Sequence, residues 1–129
     1  MKANMVCMLL ALGLLGVATP VMAHHSFDAE YDANKTATLT GIVTNVEWIN
    51  PHAFITISFK DQSGATQELK VELGPPYALT RGGWKRDTVK IGDKITMQDT
   101  ALAKDGSHRA GSTQNTFLIL ANGQKLPMR

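Results

Sequence analysis

The chain has 129 residues, with 13 Lys and Arg against 11 Asp and Glu, and this length is typical of a single domain. Hydrophobic residues make up 43% of the chain and charged residues 19%, which argues against intrinsic disorder, a collagen-like repeat and a highly basic nucleic-acid-binding protein. One globular domain of ordinary composition is therefore expected.

Residues 1–23 have the order of a secretory signal peptide. Lys2 is followed by an almost wholly apolar run, and the segment ends with Val21 and Ala23 at the −3 and −1 positions of a cleavage site. The apolar run has about 14 residues, whereas a membrane-spanning helix needs about 20. We therefore expect cleavage after Ala23, a periplasmic or secreted location, and a nearly neutral mature domain that begins at His24 and has no membrane span.

The single cysteine, Cys7, lies inside this segment and does not stand at its end, as a lipid anchor would require. The mature domain then has no cysteine, so a disulfide, a thiolate metal site and a cysteine nucleophile are all excluded. Its stability must come from the packing of a core, which a chain of this length can provide.

The first half of the mature chain has three strand patterns after a polar segment, residues 24–35, that we predict to be an irregular arm. Residues 36–48 are rich in Thr, Val and Ile, which favours a long first strand, and Gly41 within it indicates a bend. Alternation of apolar and polar residues over 53–60 and 68–73 predicts the second and third strands. We expect these strands to form a meander.

The second half of the chain predicts a short helix and two further strands. The helix is expected over 76–81, with proline at its start and glycine after its end, and the strands over 94–103 and about 112–120. Asn122-Gly123 favours a small terminal hairpin.

Five strands, with one short helix between the third and the fourth, are typical of an OB-type barrel. We predict an all-β, partly open barrel of this type for residues 36–129. A small β-sandwich is the alternative, and it needs more strands than the pattern provides.

The clearest candidate chemistry lies at the mature N-terminus. Cleavage after Ala23 gives His24 a free α-amine beside its imidazole, and both nitrogens can lose their proton near neutral pH when a metal competes for them. A third nitrogen from another histidine would complete a T-shaped site that suits copper. We expect this ligand to be His52, which follows a turn and lies on the polar face of the second strand.

Other residues are candidates for supporting or competing roles at this site. His25 competes, because a terminal amine, the next amide and the imidazole of the second residue chelate copper(II) without any fold. Asp28, Glu30 and Glu47 are candidates for the carboxylate that orients a metal-bound histidine. The alternative is that the two N-terminal histidines are a flexible tail and that His52 is a turn histidine hydrogen-bonded to the backbone.

Tyr77 and Trp84 are candidates for a partner-binding face, since aromatic residues on an OB barrel can stack on bases or sugar rings. The alternative for both is packing in or over the core. Nucleic acid is disfavoured as a partner, because Arg81, Lys85 and Arg86 make only a small basic cluster in a nearly neutral domain.

Two motifs of the mature chain are distinctive in combination. They are His24-His25-Ser26-Phe27 at its start and Glu47-Trp48-x-Asn50-Pro51-His52 after the first strand, and shorter motifs at 30–32, 39–41, 71–74, 81–84 and 104–107 accompany them. Together they resemble a family of small exported bacterial proteins that is classified only as a domain of unknown function. The resemblance implies a periplasmic or secreted, compact, β-rich domain, and it brings no activity or ligand with it.

The sequence has no G-x-S-x-G, no H-E-x-x-H and no glycine-rich phosphate loop, which favours a binding protein over an enzyme. The leading hypothesis is a periplasmic or secreted protein that binds a copper-type metal through His24, with His25 and His52 as the other candidate ligands. One alternative is a metal-free module whose barrel face binds a protein, peptide or glycan. A third hypothesis is a copper redox enzyme that uses the same ligands.

Overall fold

The computed structural model describes residues 26–129, of which residues 26–30 are helical. The remaining elements, in chain order, are β1 (Tyr31–Glu47), β2 (Phe54–Lys60), β3 (Thr66–Glu72), α1 (Pro76–Arg81), β4 (Lys94–Ala103), β5 (Arg109–Gly111), β6 (Phe117–Ile119) and β7 (Lys125–Pro127). Within this described part of the chain, no helix has the length and hydropathy of a membrane span.

The strands β1 to β5 close into a barrel. β1 pairs antiparallel with β2 near its C-terminal end and with β4 over most of its length, and β2 pairs antiparallel with β3. β5 lies parallel to β3 and antiparallel to β4, and it completes the ring. This arrangement, with α1 between β3 and β4, confirms the predicted OB-type all-β fold. The barrel is closed and not partly open, because β5 pairs with both β3 and β4.

Two segments differ from the sequence prediction. The segment expected to be an irregular arm is helical over 26–30 and then enters β1, because Tyr31 pairs with Ala103 of β4. The fifth strand of the barrel lies at Arg109–Gly111, whereas we predicted it over about 112–120. That range instead contains a loop and β6, which pairs with β7 in the terminal hairpin that Asn122-Gly123 predicted.

The long β1 strand is irregular where it curves around the barrel. Its pairing shifts register between Asp32 and Thr36, between Ala37 and Leu39, and between Val43 and Asn45. A Cβ atom at Gly41 would lie 2.6 Å from the carbonyl oxygen of Ser58 on β2, so the two strands approach there more closely than a side chain permits.

The core fills the barrel and extends under α1 to Trp84. Its fully buried members include Ile55 and Ile57 of β2, Val71 of β3 and Met97 of β4. Trp84 is only 3% exposed, and its Nε1 donates a hydrogen bond of 2.7 Å to the carbonyl oxygen of Pro127. The expectation that Trp84 forms part of an exposed partner face is therefore wrong, because its ring is needed to cover this end of the core. Tyr77 is 63% exposed.

The loop between β2 and β3 is organised by the carboxylate of Asp61. Its Oδ1 accepts hydrogen bonds from the Ser63 hydroxyl at 2.6 Å and from the backbone N–H groups of Ser63 and Ala65, and its Oδ2 accepts one from Gln67 at 3.0 Å. These bonds stabilise the charged carboxylate and lower the pKa of Asp61 from 3.8 to about 2, and the bond from the Ser63 hydroxyl has the largest effect.

We expect Asp61→Asn to lower the melting temperature at pH 7, because it removes the charge that these donors stabilise. Since the pKa of Asp61 is lower in the folded than in the unfolded state, its stabilising contribution is present above about pH 4 and is lost as the pH falls through about 2. Thermal unfolding followed by circular dichroism should therefore show that the two melting temperatures differ at pH 7 and converge between about pH 4 and pH 2. Asp87→Asn, on an exposed loop, is the control. A difference in melting temperature that stays constant from pH 7 to pH 2 would contradict the stabilising role of the Asp61 charge.

Candidate functional site

A cleft of about 430 Å³ lies beside the loop that joins β1 to β2, which is one of the loops that OB barrels use to bind ligands. One part of its lining is apolar and the other is polar and charged. The lining residues are Ser26, Phe27, Glu30, Ile49, Pro51, His52, Phe54, Glu72 and Arg109.

His52 and Glu72 form the centre of the polar part of this cleft. The Nδ1 atom of His52 lies 2.6 Å from Oε1 of Glu72, and their side chains are 27% and 14% exposed. In the β2–β3 ladder Phe54 is opposite Glu72, so His52, two residues before Phe54, is a diagonal neighbour of Glu72 on the same face. Because Nδ1 is bound to the carboxylate, Nε2 is the ring nitrogen that remains for a ligand.

The second oxygen of Glu72 is bound to Tyr31, the first residue of β1. The Tyr31 hydroxyl donates a hydrogen bond of 2.9 Å to Oε2 of Glu72 and accepts one of 3.3 Å from Arg109. Burial, together with the adjacent Glu72 carboxylate, raises the pKa of Tyr31 far above its usual value of 10.0, so the phenol keeps its proton at neutral pH. Arg109 also pairs with Glu30 at 3.2 Å. One connected network therefore runs from His52 to Glu30.

The structure brings only some of the predicted site residues together. His52 and Glu30 both line the cleft, but Glu30 pairs with Arg109 and not with His52. Asp28 is exposed and does not belong to the lining. His24 and His25 lie outside the described residues.

Glu47, another of the candidate carboxylates, does not bind His52. Glu47 is opposite Phe54 in the β1–β2 ladder, and Lys70 extends over the Phe54 ring, with Nζ 4.4 Å from its centroid, to pair with Glu47 at 2.8 Å. The carboxylate that binds His52 is Glu72, which the sequence analysis did not single out. The register of the β2–β3 hairpin was the signal that could have found it, since it places both residues on one polar face.

Within residues 26–129, no group of three or more His, Cys, Asp or Glu side chains is arranged to hold a metal ion. His108 is exposed in the loop before β5.

A second, more open groove of about 680 Å³ lies between residues 46–49 and residues 86–91. Ile49 and Ile91 are 49% and 69% exposed, so two large apolar side chains of the lining are open to solvent. The charged residues of its lining are Glu47, Arg86, Asp87 and Lys90. This groove therefore combines apolar side chains with charges of both signs.

The fold and the cleft together define a small OB-type barrel domain with a partly buried His–Glu–Tyr network at one cleft. The chain belongs to the Family of unknown function (DUF6152), whose family model matches residues 11–113. This match confirms the resemblance to a domain of unknown function and includes every residue that lines the cleft. No curated protein and no solved structure matches the chain.

We expect Tyr31→Phe to destabilise the protein by about 1–2 kcal/mol, because it removes a hydrogen bond to a largely buried carboxylate and leaves one oxygen of Glu72 without that donor. Urea unfolding at neutral pH measures this change. Tyr77→Phe removes a hydroxyl from an exposed tyrosine and serves as the matched control, with no expected loss. Equal stability of Tyr31→Phe and the unaltered protein would show that the hydroxyl contributes nothing to the fold.

Proposed function

We propose that this chain is a small periplasmic or secreted binding protein that holds a copper-type metal ion between its mature N-terminus and His52. The observation that carries the proposal is the position of His52: its Nδ1 is bound by Glu72 in a cleft that Ser26 also lines. Ser26 is only two residues from His24, which cleavage after Ala23 would make the first residue.

The distance along the chain supports a shared site. A residue spans at most about 3.6 Å of extended chain, so the α-amine of His24 lies within about 7–8 Å of the Ser26 backbone in any conformation. The imidazole of His24 extends this reach further. This short connection is the support for a site that His24 shares with His52, which lines the same cleft as Ser26.

The contact with Glu72 gives His52 the properties of a good ligand. A carboxylate that accepts a hydrogen bond from Nδ1–H favours the tautomer in which Nε2 carries the lone pair, and it holds the ring in one orientation. An amine and two imidazoles form a nitrogen-only ligand set, and among first-row divalent ions such sets bind copper(II) most tightly. His25 is the competing ligand, since it can chelate copper(II) with the terminal amine and the first amide.

We expect the processed protein to bind one equivalent of copper(II), and His52→Ala to weaken this binding by at least about tenfold, because one of three nitrogen ligands is lost. Calorimetry on protein exported by its host measures affinity and stoichiometry, with mass spectrometry to establish that the chain starts at His24. His108→Ala removes an exposed loop histidine and is the matched control. Weak copper binding that His52→Ala does not change would contradict the proposal, because it would show that only the N-terminal histidines bind the ion.

A Gly-Ser-Gly-Ser extension before His24 should also abolish tight binding, because it converts the α-amine into an amide that does not coordinate without losing its proton. The new terminal amine is then too far along the chain from His24 and His25 to form a chelate with either imidazole and the intervening amides. The same residues added after Arg129 are the control, and His25→Ala in the processed protein separates the two N-terminal histidines. Equally tight binding by the extended protein would exclude the α-amine as a ligand.

The metal-free alternative is favoured by one different observation, the exposure of Ile49 and Ile91 in the open groove. If copper binding fails both tests above, binding of a peptide, protein or glycan at this groove becomes the leading function.

The third hypothesis, a copper redox enzyme, needs the same metal site as the binding protein. The two are distinguished by whether the copper-loaded protein catalyses a redox reaction. Ascorbate-driven formation of peroxide by the copper-loaded protein, lost in His52→Ala, would favour it.

A further inference from the structure

We infer that the cleft beside the loop between β1 and β2 binds a small, neutral aromatic molecule that carries a hydroxyl group, and that His52 recognises this hydroxyl. The site is composed of described residues alone, and it needs neither a metal ion nor the residues before Ser26. It is therefore a site for a different class of ligand from the proposed metal ion, and it can be tested without that ion.

The cleft has the size and the lining of a site for an organic molecule. Its volume is about 430 Å³, and small-molecule sites in proteins have about 300–1,000 Å³. Apolar residues form one part of the lining and a few polar groups form the other, which is the usual composition of such sites. The apolar residues are Phe27, Ile49, Pro51 and Phe54.

The apolar part of the lining is accessible to a ligand. Ile49 is 49% exposed, Pro51 is exposed, and Phe27 and Phe54 are half-buried. A cation covers one face of the Phe54 ring, since Nζ of Lys70 lies 4.4 Å from its centroid. A ligand ring packed against these side chains would remove apolar surface from water on both partners. This lining therefore favours an aromatic body over a sugar, which carries hydroxyls on every side.

The charged groups of the lining are paired with one another, which favours a neutral ligand. Glu30 pairs with Arg109 at 3.2 Å. The Glu72 carboxylate is bound by His52 at 2.6 Å and by Tyr31 at 2.9 Å. A charged ligand would lose water on entering the cleft, and among its described lining residues it would meet no unpaired group of opposite charge.

The Nε2 atom of His52 is the polar group that remains for the ligand in the His–Glu–Tyr network. Nδ1 is bound to Glu72, and in a neutral imidazole that donates through Nδ1–H, Nε2 accepts a hydrogen bond. A ligand complements this acceptor with an uncharged donor, of which a hydroxyl is the simplest. Phe54 lies two residues after His52 on the same face, so this acceptor is next to an apolar ring.

The test is a titration with four small probes at pH 8, with EDTA present, followed by the amide signals in NMR spectra of the exported protein. The probes are p-cresol, toluene, which lacks the hydroxyl, and 4-methylbenzoate and 4-methylbenzylamine, which carry a charge in its place. We expect p-cresol to bind about fivefold more tightly than toluene, because it gains a hydrogen bond, and more tightly than both charged probes. The amides that shift should be those of residues 49–54, 72 and 109, which belong to the cleft and the loop beside it.

His52→Asn tests the recognition of the hydroxyl. Its amide can still donate to Glu72 in place of Nδ1, but it has no Nε2, so p-cresol should bind no more tightly than toluene. His108→Asn changes an exposed loop histidine and is the matched control, which should retain the fivefold difference between the probes. Circular dichroism establishes that each variant is folded.

Ile49→Ser tests the apolar part of the lining. It should weaken the binding of p-cresol and toluene alike by about threefold to fivefold, because both probes lose the same apolar contact. Ile91→Ser is the matched control, since Ile91 is also exposed and lines the open groove but not the cleft. It should change the binding of neither probe.

Each contrary result overturns a defined part of the inference. Tighter binding of a charged probe overturns the neutral class of ligand, and equal binding of p-cresol and toluene overturns the recognition of a hydroxyl. Shifts at residues 86–91 in place of the cleft, or no saturable shift with p-cresol up to about 20 mM, overturn the site itself. Because EDTA is present throughout, none of these results depends on whether copper(II) binds, and a failure of copper binding does not affect them.

Discussion

The Glu72 carboxylate is the group on which the organisation of the cleft depends. It is largely buried, and a buried charge is tolerated only when hydrogen bonds replace the water that it has lost. One oxygen is bound by Tyr31 and the other by His52. Because these partners come from the start of β1 and from the loop before β2, satisfying one carboxylate fixes three separate parts of the chain at the same place.

The barrel provides the conditions for this arrangement through close approaches of its backbone. At Gly111, the absence of a side chain lets the rings of Phe27 and Tyr31 lie against β5, so the segment before β1 is anchored next to the buried network. At Gly41, the absence of a side chain lets β1 approach β2 and curve around the barrel. The long, irregular β1 can therefore pair with both β2 and β4, and its first residue, Tyr31, is carried to the cleft.

The proposed metal site is consistent with the composition of residues 24–129, which contain no cysteine. Nitrogen ligands are then the natural donors for a tightly bound transition metal. Glu72 binds Nδ1 of His52, which leaves Nε2 facing a ligand, and the ring of Phe27 packs on that of Tyr31. The cleft between them is larger than an ion requires, and Ile49 and Phe54 give it an apolar side.

The sequence by itself determined those features that depend on neighbouring residues. Alternation over β2 and β3, proline before α1 and the Asn122-Gly123 turn are local signals, and each predicted an element that the structure contains. Together they were sufficient for the OB-type fold, and the turn before β2 was sufficient to place His52 on a polar face.

The tertiary structure alone decided the rest, because contacts between residues far apart in the chain leave no local pattern. The strand β5 has three residues, too few for any periodicity, and it exists because β3 and β4 leave a gap that it fills. Trp84 is buried and not exposed because the chain end carrying Pro127 returns to cover it. Glu47 and Glu72 are both opposite Phe54 and share its face, but Glu47 pairs with Lys70, and Glu72 is the carboxylate that binds His52.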